Sequence, residues 1–428
     1  MKRIAGIVSA LLALAACSQD RMQVLKVYNW SNYIDEEVIP LFEEWYEAQT
    51  GAPVKVIYQT FDINETMLSK IEKGKEDYDV VCPSDYIIER MLNGGLLVPL
   101  DFSSLPDSIN YIRNNQSPYM REMFCKINPE TDANDYSVPF MWGTTGILYN
   151  SAYVTDGEVS SWNILRNPKF KGKIFIKDAP RDVFSPILMY LRRVELAKGE
   201  VTREELSKDS SDETVAEVEA FMKKVAPLVA GWEADFGKEQ MTKELGYLSL
   251  NWSGDAVWAI EEAAEVGVEL RYRVPEEGSN VWFDGWVIPK YAKNVKAATY
   301  FIDFMCRPDI AIRNMEVTGY VSANGDISVL ESQMDDSFEP IDLSYFFPGA
   351  DSVCVNPVLY PSAQTISRCE LEHDWGRDTD KLIAMWARVK GDNADYMTVI
   401  VISAVVIAAL VLVIRRRFFG RKSRRRGR

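Results

Sequence analysis

Two short stretches set a tryptophan close to an aspartate: Trp252-Ser253-Gly254-Asp255 and Trp282-Phe283-Asp284. A third, Tyr28-Asn29-Trp30-Ser31-Asn32-Tyr33, shows aromatic rings where an apolar run gives way to a loop. Aromatic faces attract a cation by about 0.5–2 kcal/mol each and also cover methylene surface. Carboxylates fix ammonium groups through charge-assisted hydrogen bonds. These residue types therefore suit an organic cation. Catalysis is poorly supplied. His373 is the single histidine, no nucleophile motif is present, and the cysteines lack zinc-ligand spacing. Neither a metal, a cofactor nor an enzymatic activity is expected.

The chain has 428 residues and a formal net charge of −15, but its ends distort that figure. Residues 1–16 carry Lys2 and Arg3 ahead of an apolar run closed by small residues, the form of a secretory signal. Leu14-Ala15-Ala16-Cys17 resembles the lipobox of bacterial lipoproteins, which implies a lipid on Cys17. Residues 397–414 form an 18-residue run without a charge, followed by nine basic residues and no acid in 415–428. A membrane span takes about 20 residues, and basic residues after it mark the cytoplasmic side and suit anionic headgroups. The expectation is a C-terminal transmembrane helix at 397–414 and a basic cytoplasmic tail at 415–428. The body would then lie on the periplasmic side of the cytoplasmic membrane, anchored by lipid, helix or both. Without the two ends it carries −26, which disfavours nucleic acid and favours cationic ligands.

The elements that must position the candidate residues follow a β-α rhythm. Leu25 to Trp30 is strand-like, and Ile34, Val38, Phe42 and Trp45 recur at helical spacing before Gly51. Residues 54–60 and 78–84 repeat the pattern, each followed by a helical stretch. Such units build an open α/β sheet whose ligands sit at the carboxyl ends of the strands, where the first aromatic stretch and Ser84 lie. A body of about 370 residues exceeds one typical core, so two domains are expected. Cys82, Cys125, Cys306, Cys354 and Cys369 are odd in number and cannot all pair. Cys354 and Cys369 are close enough in sequence to staple a loop under oxidising conditions, and Cys82 suits a buried thiol.

Taken in order, Tyr28 to Ile34, Asp77 to Met91, Ile176 to Phe184, Asn251 to Ala259, Trp282 to Pro289 and Arg307 to Tyr320 resemble the periplasmic polyamine-binding proteins of ABC transporters, the spermidine- and putrescine-binding group. The resemblance covers about residues 24–390. It implies an α/β, two-lobe periplasmic-binding-protein fold with a hinge, its ligand in the cleft between the lobes. The lobes would be 24–143 with 284–330, and 144–283 with 331–390. It also implies a polyamine ligand, putrescine favoured, delivered to ABC transporter permease subunits. Spermidine or another organic cation is the alternative, as is a ligand-sensing ectodomain for a signalling partner.

Residue by residue, the resemblance implies that Trp30, Ser31 and Tyr33 line the ligand from the first lobe, with Ser84 and Tyr86 beside them. Asp182 stands where a ligand-binding acid is expected, and Trp252 with Asp255 would form a wall and a carboxylate. Trp282 and Asp284 would hold one ammonium end, and Tyr320 would cap the site. Each also has a plainer role: Trp30 and Trp282 suit a core, and Ser84, Asp182 and Asp255 suit helix caps. The chain departs from the group at Asn32, where an acid is expected; at Ala179 spermidine binders often carry a further Asp, whereas putrescine-type members share Asp-Ala-Pro. Asp182, Asp255 and Asp284 then suffice for two ammonium groups and are thin for three.

Overall fold

The computed structural model describes residues 21–106, 110–233 and 237–391. One sheet of eleven strands runs through them. In chain order its main strands are β1 (Val24–Trp30), β2 (Lys55–Phe61), β3 (Val80–Val81), β4 (Ser137–Asn150), β5 (Ile174–Lys177), β6 (Val229–Glu233), β7 (Leu248–Trp252), β8 (Leu270–Arg273), β9 (Ser279–Val287) and β10 (Val321–Ser322). The main path runs β2-β1-β3-β9-β4-β7-β5-β6. At one end β1 pairs in parallel with β2 and β3; at the other β5 pairs in parallel with β6 and β7. Helices return the chain between these parallel strands, as parallel pairing requires.

The middle is built differently. β4 is fully buried along its 14 residues, and its first half runs antiparallel to β9 from Ser137↔Val287 to Thr144↔Val281. Its second half pairs with β7 and β8. β4 and β9 thus pass from one parallel end to the other, giving two lobes joined by crossing strands. Continuous apolar burial is what a strand covered on both faces needs.

Packing divides the C-terminal segment that the sequence places wholly in the second lobe. Leu343, Phe346, Phe347, Val355, Tyr360 and Leu371 pack in one core with Tyr28, Phe124 and Trp142 of the first lobe. Trp375, Leu382, Trp386 and Val389 pack with Phe184, Phe221 and Leu250 of the second. Cys354 and Cys369 are free thiols, as is the buried Cys82.

The strand–helix alternation is α/β, as expected. The transmembrane part of that expectation is corrected: among the described residues no helix is long and apolar enough to cross a membrane. Residues 397–414, on which it rested, lie outside the described residues, as do Cys17 and the basic tail. The membrane attachment assigned to that helix falls with it.

Candidate ligand-binding site

Asp284 lies on β9 and is buried. One carboxylate oxygen accepts from the Tyr33 hydroxyl at 2.7 Å and the other from Ser84 at 2.6 Å. Tyr33 follows the end of β1, where Asn32 takes a left-handed φ of 54°, a conformation Asn tolerates better than most residues. Ser84 stands at the N-cap position of the helix Asp85–Asn93 but makes no capping bond; its hydroxyl is turned to Asp284 instead. Asn64 donates to both Ser84 and the Tyr86 hydroxyl, at 3.0 and 3.1 Å. Burial pushes the Asp284 carboxyl up to about 6, against the opposing bonds from Ser84 and Tyr33 and with a further push from the charge of Asp182. The Trp30 indole N–H is buried without an acceptor of its own, and its proximity helps hold the Asp284 charge.

Asp182 sits in the first turn of the helix Pro180–Leu191. The oxygen Oδ1 accepts from Thr145 at 2.8 Å and from the Trp252 indole at 2.9 Å. Thr145 is opposite Trp252 in the β4–β7 ladder, which places both donors beside the same acid. Burial raises its pKa against these two bonds. Neither Asp182 nor Asp284 forms an ion pair with a lysine or arginine among the described residues.

An aromatic wall leads away from Asp284 through Tyr33. The Tyr33 ring meets Tyr320 edge-on at 5.3 Å, and Tyr320 meets Trp282 at 5.7 Å. Two glycines make this approach possible. A Cβ on Gly143 would lie 2.5 Å from both Trp282 and the Ser253 hydroxyl, and one on Gly254 would run into the Tyr320 ring. Trp282 is buried, with its indole N–H unpartnered.

Asp255 differs from the other two acids. Its Oδ2 accepts from Lys177 at 2.7 Å, and its Oδ1 from Lys238 and the Tyr320 hydroxyl, each at 3.1 Å. Burial alone would raise this carboxyl, but Lys177 and Lys238 pull it below its ordinary value. The face of Tyr86 is also taken, by the Arg181 guanidinium 4.2 Å from the ring centre. Ser31 is exposed and donates to Asp62 at 2.7 Å, on the rim rather than against Asp284. Ala179, half-buried, precedes the helix Pro180–Leu191, and Asn32 is exposed.

The structure thus brings Trp30, Tyr33, Ser84, Tyr86, Asp182, Trp252, Asp255, Trp282, Asp284 and Tyr320 into one connected set and leaves Ser31 outside it. Asn64, Thr145, Lys177, Arg181 and Lys238 belong to it and were missed from the sequence. Among the described residues no group of three or more His, Cys, Asp or Glu is placed to hold a metal ion. The arrangement can hold a cation between aromatic faces and two acids that lack a basic partner. The profile of the bacterial extracellular solute-binding proteins matches residues 44–336. The chain belongs to this family.

Its relatives agree with the resemblance read from the motifs. The spermidine/putrescine-binding periplasmic protein of Salmonella typhimurium is 30% identical over 366 residues, covering 85% of this chain and 91% of that one. The putrescine-binding periplasmic protein PotF of Escherichia coli is 29% identical over 337 residues, 76% of this chain and 84% of its own length. Among solved structures, PotD, the spermidine/putrescine ABC transporter substrate-binding protein of Streptococcus pneumoniae, superposes with a TM-score of 0.63. It is 29% identical over 86% of this chain and 98% of that one.

Proposed function

We propose that this solute-binding protein captures a short polyamine, putrescine first, outside the cytoplasmic membrane and delivers it to an ABC importer. One observation carries the choice of ligand: Asp284, beside the aromatic wall, and Asp182, beside Trp252, are both buried, and neither forms an ion pair with a lysine or arginine among the described residues. Two buried acids without an ion-pair partner are costly in an empty site and favourable once two ammonium groups arrive. The rings of Tyr33, Tyr320 and Trp282 offer apolar surface to the methylenes between them and cation–π attraction to the ends. A neutral sugar would leave both charges uncompensated. The role is binding without catalysis, and the two-lobe architecture suits closure on the ligand by a hinge.

Calorimetry of the mature protein against putrescine, spermidine and a neutral sugar tests this. Amine binding with putrescine tightest is the expected result; sugar binding without an amine response overturns it. Cys17 is proposed as the lipid attachment point on its sequence context, and palmitate labelling should be lost in Cys17→Ala. Retained labelling would place the lipid elsewhere.

A further inference from the structure

Lys177 ends β5, a central strand buried along its whole length, and its side chain is 1% exposed. Lysine is almost never buried so completely unless paired. The pairing here has a particular form. The ammonium lies 2.7 Å from Asp255, 3.5 Å from Glu233 and 4.2 Å from the centre of the Trp252 ring. Carboxylate on one side and indole face on the other are the contacts an amine ligand needs for its own ammonium. The edge of that indole donates to Asp182, so the position held by Lys177 adjoins one of the two acids that form no ion pair.

Resting on the amine reading above, we propose that Lys177 is a built-in ammonium that fills the Trp252–Asp255 subsite and so limits the ligand to two charged nitrogens. Asp284 and Asp182 are left for the ligand. Asp255 already serves Lys177, Lys238 and the Tyr320 hydroxyl. A third ligand ammonium there must displace Lys177 and strand a buried charge, which is strongly unfavourable. An otherwise similar cleft without this lysine would keep a third acidic subsite open. The alternative is an ion pair that only braces β5 against the helix Ser253–Glu265.

The test compares putrescine and spermidine on wild type, Lys177→Ala and Lys177→Ala/Glu233→Gln by calorimetry at one salt concentration. The double variant removes one buried acid with the buried base and leaves Asp255 for an incoming amine. Both variants should move the affinity ratio toward spermidine by about tenfold or more. Methylammonium should raise the melting temperature of Lys177→Ala, or of the double variant where the single one folds poorly, by more than that of wild type, in which only the Asp284 and Asp182 subsites are open to it. Putrescine binding with an unmoved ratio and no methylammonium gain over wild type assigns Lys177 a bracing role and overturns the inference while the amine reading stands. Wild type that binds no amine overturns both.

Discussion

Asp284 and Asp255 are buried alike, at 6% and 4% exposure, and both touch the same aromatic wall, through Tyr33 and Tyr320 respectively. Their charges are held by opposite means. Asp284 has neutral donors and a neighbouring acid, and its carboxyl rises to about 6. Asp255 has two lysines and falls below its ordinary value. Burial therefore does not single out a ligand-binding acid. The countercharge around it does, because an acid already neutralised within the fold has little to gain from a ligand cation.

The sharpest break of this comparison is to remove each carboxylate in turn. Asp284→Asn should keep its fold and lose amine binding, since deleting one partner of a buried charge pair costs about 3–5 kcal/mol, roughly a hundred-fold to several thousand-fold in affinity. Asp255→Asn should move the loss from binding to stability. It leaves Lys177 and Lys238 facing a neutral group, with a cost of about 3 kcal/mol in denaturant unfolding and putrescine affinity within a few-fold of wild type. Equal losses of affinity in the two variants would abolish the distinction between the acids.

The pH dependence sharpens the same contrast. A carboxyl held near 6 in the folded protein, above its ordinary 3.8, keeps a proton that the unfolded chain has released between about pH 4 and 6. Its contribution to the stability of the unliganded protein therefore falls as pH rises through that window. Binding runs the other way, because an ammonium needs the carboxylate. Putrescine affinity should fall below about pH 6, approaching tenfold per unit, with proton release on binding near pH 6. Calorimetry in buffers of different ionisation enthalpy reads that release, and none at pH 6 would place Asp284 outside the binding step.

Much of this was legible because aromatic and acidic residues cluster in short stretches at strand ends, where an open α/β sheet exposes its ligand face. Trp252 and Lys177 do end their strands, and Ser84 follows β3 closely. The role of Lys177 was hidden because it depends on β5 lying between β6 and β7, which brings Glu233 and the end of β7 to it. Thr145 was hidden in the same way, as its position opposite Trp252 is fixed by strand register over a long sequence separation. Ser84 shows a local rule yielding to a distant partner: the residue occupies the cap position its sequence suggests, yet Asp284, 200 residues away, takes its hydroxyl. The division of the C-terminal segment between lobes was likewise invisible, because apolar residues such as Phe346 and Trp386 fit either core equally well by type.

The smallest predicted effect lies within the first aromatic stretch, where two neighbours have unlike roles. Tyr33 is buried and donates to the Asp284 carboxylate, whereas Ser31 is exposed and donates to Asp62. A hydrogen bond to a charged group in a buried site contributes about 1.5–3 kcal/mol, so Tyr33→Phe should weaken putrescine binding by about tenfold or more. The same change removes a bond that favours the ionised form of Asp284, so the affinity midpoint should also move to higher pH. Ser31→Ala removes a solvent-exposed bond to Asp62, and surface changes of that kind stay within about 0.5 kcal/mol. Its effect on affinity should be about twofold or less, with the pH profile unmoved. A tenfold loss in Ser31→Ala would bring the rim of the cleft onto the ligand and extend the binding surface past the buried acids.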